Sequence, residues 1–191
     1  MLYATIDAKK KLLQYPANPN EDHSHISIPE GWAGGKLNGK NYVRVVEVDP
    51  PSKFCWKAVE GTPKASKGVW YQTWTLVLLE RPELKAAIKE KRWRVQHDGI
   101  VLGGKRYQTD EGSLRFWKDK IDQKVCGAID WLLPDDTVVT LSSADWHTVY
   151  RTARDHVEKA FDRQVELFKA IDAAKTDEEL EKIDYAAGWM K

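Results

Sequence analysis

The sequence predicts an α+β protein with an antiparallel, strand-rich N-terminal part and a helical C-terminal part that carries small hairpins. Up to about residue 80 many apolar residues alternate with a period of two, which is typical of β-strands. After Pro82, which suits the first turn of a helix, apolar residues recur at helical spacing. The longest helical pattern runs from Ser143 to Ala174. We therefore divide the chain into a strand-rich domain over residues 1–80 and a helical domain over residues 81–191.

The first fifty residues contain one predicted hairpin, two loops and further short strands. Residues Leu2–Tyr15 form the hairpin, with a polar turn near Asp7–Lys10. A short strand is expected over Ile26–Ile28, where Pro29 stops it, and a glycine-rich loop follows over Gly31–Gly39. Tyr42–Val48 alternates as a strand.

A longer hairpin, rich in tryptophan, is predicted next. Its arms are Lys53–Val59 and Gly68–Leu79, and the sequence GTPKASKG between them is expected to be a polar loop. In the second arm one face carries Trp70, Gln72, Trp74, Leu76 and Leu78, and the other carries Val69, Tyr71, Thr73, Thr75 and Val77. Both faces hold aromatic or β-branched residues. Both are therefore expected to be covered, either by the rest of the chain or by a partner.

The helical part begins with two helices that are separated by a small hairpin. The first helix starts at Pro82 and ends at Asp98-Gly99, and the hairpin Ile100–Tyr107 turns at Gly103-Gly104. Thr109 or Asp110 caps the second helix. The apolar residues of the two helices are Leu84, Ala87, Ile88 and Trp93, and then Leu114, Trp117, Ile121 and Val125. Another hairpin, Trp131–Leu141, turns at Pro134–Asp136.

The long helix starts with a capping box of Ser142 and Asp145 and carries an apolar seam. The seam residues, at alternating spacings of four and three, are Trp146, Tyr150, Ala153, Val157, Ala160, Gln164, Leu167 and Ile171. Phe161, Val165 and Phe168 widen the seam, which suits packing in a small bundle better than a strict two-helix seam. Thr176 and Glu179 form a second capping box, which opens a short last helix.

Composition and charge argue against several classes of protein. Lys and Arg number 30 and Asp and Glu number 29, so a dedicated nucleic-acid binder with a basic face is not expected. The first residues lack the apolar core of a secretory signal, and Thr73–Leu79 is too short to span a bilayer. Cys55 and Cys126 show no metal-binding spacing and are predicted to be free thiols. We expect neither nucleic acid nor a membrane as partner.

Motifs for catalysis or cofactor binding are weak. His23 and His25, beside Glu21 and Asp22, lie in a polar loop, where a solvated role is favoured over a metal site. Asp135 and Asp136 lie in a turn, where short acidic side chains bond to local backbone. Gly31–Gly35 lacks the lysine of a phosphate-binding loop. The sequence therefore predicts no catalytic residue, no cofactor and no metal.

Three phrases of the sequence, in this order, resemble a known arrangement. They are VEGTPKASKGVWYQTWTL, then WRVQHDGIVLGGKRYQTDEGSLRFW, then the run from Trp131 to Ile183. The last two resemble an uncharacterised domain found near the C-terminus of phage and prophage tail-fibre proteins and their short neighbours. In that family a Thr-Asp-x-x-Ser element opens a helix, and Thr109, Asp110 and Ser113 match it. Trp117 and Trp146 depart from the family pattern, which more often has smaller residues there.

The resemblance implies a bacteriophage tail component with a structural or interaction role, located in the virion tail after synthesis in the host cytoplasm. Its partner would be a tail fibre or baseplate protein, and a second copy of the chain is another candidate. An alternative role is an assembly chaperone for the tail fibre that is absent from the mature particle. A second alternative is a module that reads host-surface glycans through Trp70, Trp74 and Tyr71.

The candidate interface residues come from the tryptophan-rich hairpin and from the long helix. They are Trp56, Trp70, Trp74, Trp146, Tyr150, Val157, Phe161 and Phe168. For each of them packing in the protein's own core is the competing interpretation. Nine tryptophans in 191 residues fit either a strongly aromatic core or an adhesive surface.

Overall fold

Strands dominate the first part of the chain and helices the second, which confirms the predicted α+β class. The computed structural model describes residues 1–24 and 27–189. The chain divides into two units, Met1–Leu78 and Leu79–Lys191, which we describe separately.

The N-terminal unit is built on one six-stranded sheet. Its strands are β1 (Leu2–Ile6), β2 (Leu12–Ala17), β3 (Gly34–Leu37), β4 (Lys40–Val46), β5 (Trp56–Ser66) and β6 (Val69–Leu78). The order is β2-β1-β4-β6-β5, and β3 also pairs with β4. All neighbours are antiparallel except β4 and β6, which run parallel through Val45 and Val46 opposite Trp70 and Tyr71. Strand β4 therefore pairs with β1 along one edge and with both β3 and β6 along the other.

The sheet curves into a half-barrel, so its outermost strands approach each other. The hydroxyl of Tyr15 in β2 donates a hydrogen bond to the carboxylate of Glu60 in β5. These strands stand at opposite ends of the strand order, so a flat sheet would keep these two side chains apart. The side of the sheet that carries Tyr15 and Glu60 is therefore the inner side of the curve.

A small core forms where residues of the segments 18–24 and 27–37 pack on β1 and β4. Tyr3, Ala17 and Tyr42 are buried there against Trp32 and Leu37. The Tyr3 hydroxyl donates to the carbonyl of Trp32 at 2.9 Å, and the Tyr42 hydroxyl donates to the carboxylate of Asp22 at 2.6 Å. Asp22 ends the short helix α1 (Pro19–Asp22), whose N-cap Asn18 accepts a hydrogen bond from the amide of Asn20. These bonds hold the two segments on the sheet.

Two predicted loops of the N-terminal unit are wrong. The expected eight-residue loop over residues 61–68 is mostly strand, because β5 continues to Ser66 through a register shift between Gly61 and Lys64. The turn is confined to Lys67 and Gly68, which both adopt positive φ angles (50° and 82°), as two-residue hairpin turns require.

The expected loop over Gly31–Gly39 contains β3. A Cβ atom at Gly34 would lie 2.5 Å from the carbonyl oxygen of Tyr42, so only glycine allows β3 to approach β4 this closely. The strand predicted over Ile26–Ile28 lies partly outside the described residues, and Ser27 and Ile28 are not in a strand.

The C-terminal unit contains each helix and hairpin that the sequence predicts. Its elements are α2 (Arg81–His97), β7 (Ile100–Leu102), β8 (Lys105–Tyr107), α3 (Glu111–Asp122), β9 (Ile129–Leu132), β10 (Val138–Leu141), α4 (Ser143–Ala173) and α5 (Asp177–Glu181). Strands β7 and β8 form one antiparallel pair, and β9 and β10 form another.

Tryptophans form the centre of this unit. Trp117 of α3 and Trp146 of α4 are both 0% exposed, and their ring centroids are 6.3 Å apart with nearly parallel planes. Trp131 of β9 contacts Trp117 at 4.1 Å between centroids, and its indole N–H donates to the side chain of Gln108. The same cluster includes Tyr107 and other buried residues of both hairpins. These rings therefore join α3, α4 and the β9–β10 hairpin.

Helix α2 packs along the C-terminal half of α4. Leu84 and Ile88 of α2 are fully buried, as is Ile171 of α4. The guanidinium of Arg81 donates to the carbonyls of Ile171 and Ala174 at the end of α4. Near the other end of α2, the Nε2 of buried His156 donates to the carbonyl of Val95 at 2.7 Å.

The helix caps follow the predictions with two refinements. Asp110 is the N-cap of α3 and accepts from the amide of Ser113, whereas Thr109 donates to the carbonyl of Gln96 and accepts from Gly99. The Ser142–Asp145 capping box of α4 is confirmed. Thr176 accepts from the amide of Glu179, but the Glu179 carboxylate accepts from Lys175 at 2.6 Å, so the second predicted box is half formed.

We predict that Trp117→Ala lowers the free energy of unfolding of the C-terminal unit by about 3–5 kcal/mol, because it opens a cavity in the aromatic cluster. Trp93→Ala is the matched control, because Trp93 is 52% exposed on α2 and its loss should cost less than about 1 kcal/mol. Urea unfolding followed by the helical circular dichroism signal measures both values. Equal costs for the two variants would contradict the assignment of the core.

Candidate interaction surfaces

The tryptophans of the β5–β6 hairpin lie on the inner side of the half-barrel. Glu60 stands opposite Trp74 in the antiparallel register, and paired residues point to the same face. The face with Trp70, Gln72, Trp74, Leu76 and Leu78 is half-buried throughout. Trp56 is also half-buried, with the ammonium group of Lys53 3.8 Å from the centroid of its ring.

A hydrogen-bonded network ties this inner face together. Glu60 accepts from Tyr15 and, at 2.6 Å, from the side-chain amide of Gln72. Gln72 in turn accepts from the amide of Val48, and the indole N–H of Trp74 donates to the carbonyl of Val48 at 2.7 Å. The polar edge of Trp74 is thus bonded to the protein's own backbone. The half-buried ring therefore packs as part of the sheet and does not form an open, exposed surface for a ligand.

The titration of Tyr15 reflects this network. Burial, and then the hydrogen bond to Glu60 and its negative charge, raise the pKa of Tyr15 to about 12. Tyr42 has a raised pKa of about 12 as well, because it is buried and donates to the carboxylate of Asp22. Both phenols are therefore held in the protonated form well into alkaline solution.

The opposite, outer side of the hairpin is apolar and exposed. Val59, Val69, Tyr71 and Val77 alternate with the inner residues, and each is between 38% and 43% exposed. We call these four residues the outer β5–β6 face. The sequence predicted that both faces of the hairpin are covered, but the described residues leave this one open to solvent. Its apolar side chains lie on two paired strands of the N-terminal unit.

The predicted seam of α4 separates into a core side and an exposed side. Trp146 is completely buried in the tryptophan cluster, so it is inaccessible to a partner, whereas Tyr150 and Val157 are half-buried. Phe161 is 43% exposed and carries the Arg92 guanidinium 4.3 Å above its ring. Phe168 is half-buried, with the ammonium group of Lys85 5.3 Å from its ring.

Val165 extends this exposed side and is 46% exposed. The spacing 161, 165, 168 places the three residues on one side of α4. We call Phe161, Val165 and Phe168 the α4 stripe. The sequence does not identify Val165 as an interface residue, because periodicity does not tell which flank of a seam a neighbouring helix covers.

His23 was predicted to be solvated in a polar loop, and this prediction is wrong, because the side chain is buried against the sheet. The ring nitrogens of buried His23 lie 3.2 Å from the Tyr42 hydroxyl and 3.4 Å from the Asn38 amide, and His25 lies outside the described residues. Within residues 1–24 and 27–189 no three His, Cys, Asp or Glu side chains are grouped so that they could hold a metal ion. Asp135 accepts from the amide of Thr137, as expected of a turn.

Both cysteines are free, and Cys126 is exposed. Cys55 is buried, and its burial raises the pKa of the thiol to about 11. Among the helices of the described chain, none combines the length and apolarity needed to cross a bilayer.

Comparison with known proteins identifies one family. A family model described as a domain of unknown function (DUF4376) matches residues 80–187, a range that runs from the start of α2 past the end of α5. Comparison with curated proteins and with solved structures found no similar protein.

We predict that Tyr15→Phe removes one of the late-titrating phenols, and that Tyr42→Phe removes another. Because the folded pKa of Tyr15 is about 12 and the ordinary value is 10.0, its contribution to stability is complete below pH 10 and is lost as the pH rises towards 12. Rapid alkaline titration, followed by tyrosinate absorbance, measures how many phenols titrate late. Unfolding at alkaline pH measures the free energy of unfolding. An unchanged titration of Tyr15→Phe above pH 11 would disprove this role for the Tyr15–Glu60 bond.

Proposed function

Since the chain belongs to the DUF4376 family, we propose that it is a structural, non-enzymatic component of a bacteriophage tail that binds a tail fibre or baseplate protein. The tail assignment draws on the three phrases that resemble tail-fibre proteins and their short neighbours. The interaction role draws on the surfaces of the folded chain.

The outer β5–β6 face is the observation that carries the proposal. Four apolar side chains on two adjacent strands stay about two-fifths exposed. Complete burial of such a side chain is worth about 1.5–3 kcal/mol, so covering the remaining area favours association by roughly 0.6–1.2 kcal/mol each. Val69 and Tyr71 are neighbours at one end of this face and Val59 and Val77 at the other, with Thr73 and Thr75 between them. Exposed apolar side chains grouped in this way are typical of a protein-binding site.

The outer edge of β5 adds backbone groups to the same region. In the strand order of the described residues β5 is terminal, with β6 as its strand neighbour. The register shift between Gly61 and Lys64 and the proline at 63 interrupt the second half of the strand. The regular half, Trp56–Glu60, therefore offers N–H and C=O groups to an added strand, a common mode of peptide recognition.

A permanent tail component and an assembly chaperone make different demands on such a surface. A chaperone must release its client, which favours modest and polar contacts, whereas an apolar face favours a lasting interface. The outer β5–β6 face is therefore better suited to a component that stays in the particle. Mass spectrometry of purified particles tests this: presence in stoichiometric amount supports the structural role, and absence together with misassembled fibres in a deletion strain supports the chaperone.

We predict that Tyr71→Glu weakens binding to the tail fibre or baseplate protein at least about tenfold, which corresponds to 1.4 kcal/mol. The substitution places a charge in the outer face, while Lys64, directly opposite in the register, lets the fold accept it. Co-expression with each tail protein, followed by affinity purification, measures binding. Val138→Glu, at an exposed valine of β10 in the other unit, is the matched control.

Two results would count against the proposal in different ways. If Tyr71→Glu is captured as strongly as the unaltered chain, the outer face is not the binding surface. If the unaltered chain captures neither protein, is absent from particles and leaves fibres normal when deleted, it is not a tail component.

A further inference from the structure

We infer that a second copy of this chain binds the α4 stripe, so that two α4 helices pair antiparallel about a two-fold axis that passes between Phe161 and Val165. This inference goes beyond the proposed function, because it concerns association of the protein with itself and uses a different surface.

The α4 stripe is an apolar helix surface that the chain leaves partly open. Phe161 and Val165 are 43% and 46% exposed, and Phe168 is half-buried. The neighbouring helix α2 reaches the stripe through two cationic side chains, Arg92 over Phe161 and Lys85 over Phe168. Such long side chains cover the margin of an apolar surface and leave its centre accessible.

Charged residues flank the stripe in an order that identifies the occupant. Arg154 and Glu158 precede it, and Lys169 and Asp172 follow it. At 100° per residue all four lie within about 60° of one another around the helix, on the side that carries Val165. Between Arg154 and Asp172 these signs run positive, negative, apolar centre, positive, negative, and Arg151 adds a positive charge just before this range.

This order of charges is complementary to the same order read in the opposite direction along the helix. Arg154 and Asp172 lie nine positions on either side of Arg163, and Phe161 and Val165 lie two positions on either side. An antiparallel partner would place Arg154 opposite Asp172 of the second copy and Phe161 opposite Val165, with Glu158 within one position of Lys169. Each charge would meet an opposite charge at both ends of the contact.

Parallel pairing in register has the opposite consequence. It would place Arg154, Glu158, Lys169 and Asp172 each against the same residue of the second copy, so every flanking position would bring like charges together. The charge order thus favours the antiparallel arrangement.

The flanking charges are available for this exchange. The side chains of Arg154, Glu158 and Asp172 are each more than half exposed. Arg154 pairs with Glu158 at 2.8 Å, and Asp172 pairs with Lys85 at 2.6 Å, but exposed ion pairs of this kind contribute little to stability. Sharing or exchanging them with a second copy therefore costs little.

The contact would run from Arg154 to Asp172, about 27 Å of helix at 1.5 Å per residue. Its apolar centre is small compared with the roughly 800 Å² per partner of a standard stable interface. We therefore expect a dimer that forms and dissociates with protein concentration.

Sedimentation velocity of the purified full chain alone, over a range of concentrations, tests the inference. The unaltered chain should shift from monomer to dimer, and Val165→Glu should raise the dimer dissociation constant at least about tenfold. Val101→Glu is the matched control, because Val101 is exposed on β7, away from the stripe, and should leave dimerisation unchanged. A chain that stays monomeric at every concentration, or a dimer indifferent to Val165→Glu, would overturn the inference.

Charge reversal tests the direction of pairing. Arg154→Glu should weaken the dimer, and the double variant Arg154→Glu/Asp172→Arg should restore it, because both ends of the antiparallel contact regain opposite charges. Lys159→Glu is the control, since Lys159 is exposed on another side of α4. If the double variant is no stronger than Arg154→Glu, antiparallel pairing is wrong.

The two surfaces can be tested separately. Loss of self-association in Val165→Glu with capture of the tail partner intact would affect this inference alone. Loss of capture in Tyr71→Glu with the dimer intact concerns the proposed function alone.

Discussion

The contact between Trp117 and Trp146 determines how the C-terminal unit is assembled. Both indoles are completely buried, and Trp131 packs against the first of them, so α3, α4 and the β9–β10 hairpin meet at one point. Because α4 is a continuous helix of 31 residues, fixing its first turns also fixes the direction of its later turns. Those turns hold α2 through buried apolar residues and through Arg81, and they carry the exposed stripe on a rigid support.

The N-terminal unit depends on a different constraint, the curvature of its sheet. Curvature brings Tyr15 to Glu60 and turns the tryptophan side of the hairpin inwards, where Trp74 and Gln72 bond to Val48. The same curvature turns the alternate residues of β5 and β6 outwards. The tryptophans, which are the most conspicuous feature of this hairpin in the sequence, thereby pack within the folded sheet, and the proposed binding surface consists of valines and a tyrosine.

Local signals in the sequence were sufficient to predict most elements. The Gly103-Gly104 turn, the Ser142–Asp145 box and the helix starting near Pro82 each depend on residues a few positions apart. The predictions fail where residues that are far apart in the sequence determine the local structure. Strand β3 exists because Gly34 fits against Tyr42, and the Tyr15–Glu60 bond joins residues 45 positions apart. The division of the α4 seam into a buried and an exposed side was likewise not predictable, because it depends on where α2 packs.

The two exposed apolar surfaces differ in the information that they carry for a partner. The outer β5–β6 face combines its apolar residues with charges of one sign only, Lys57 and Lys64, so a partner must be selected mainly by shape and by backbone pairing along β5. The α4 stripe has three apolar side chains instead of four, but its flanking charges specify both direction and register. The outer β5–β6 face therefore suits a larger, heterologous partner, and the α4 stripe suits a second copy of the same chain. The two proposals thus assign physically distinct means of recognition to a foreign protein and to a second copy of the chain.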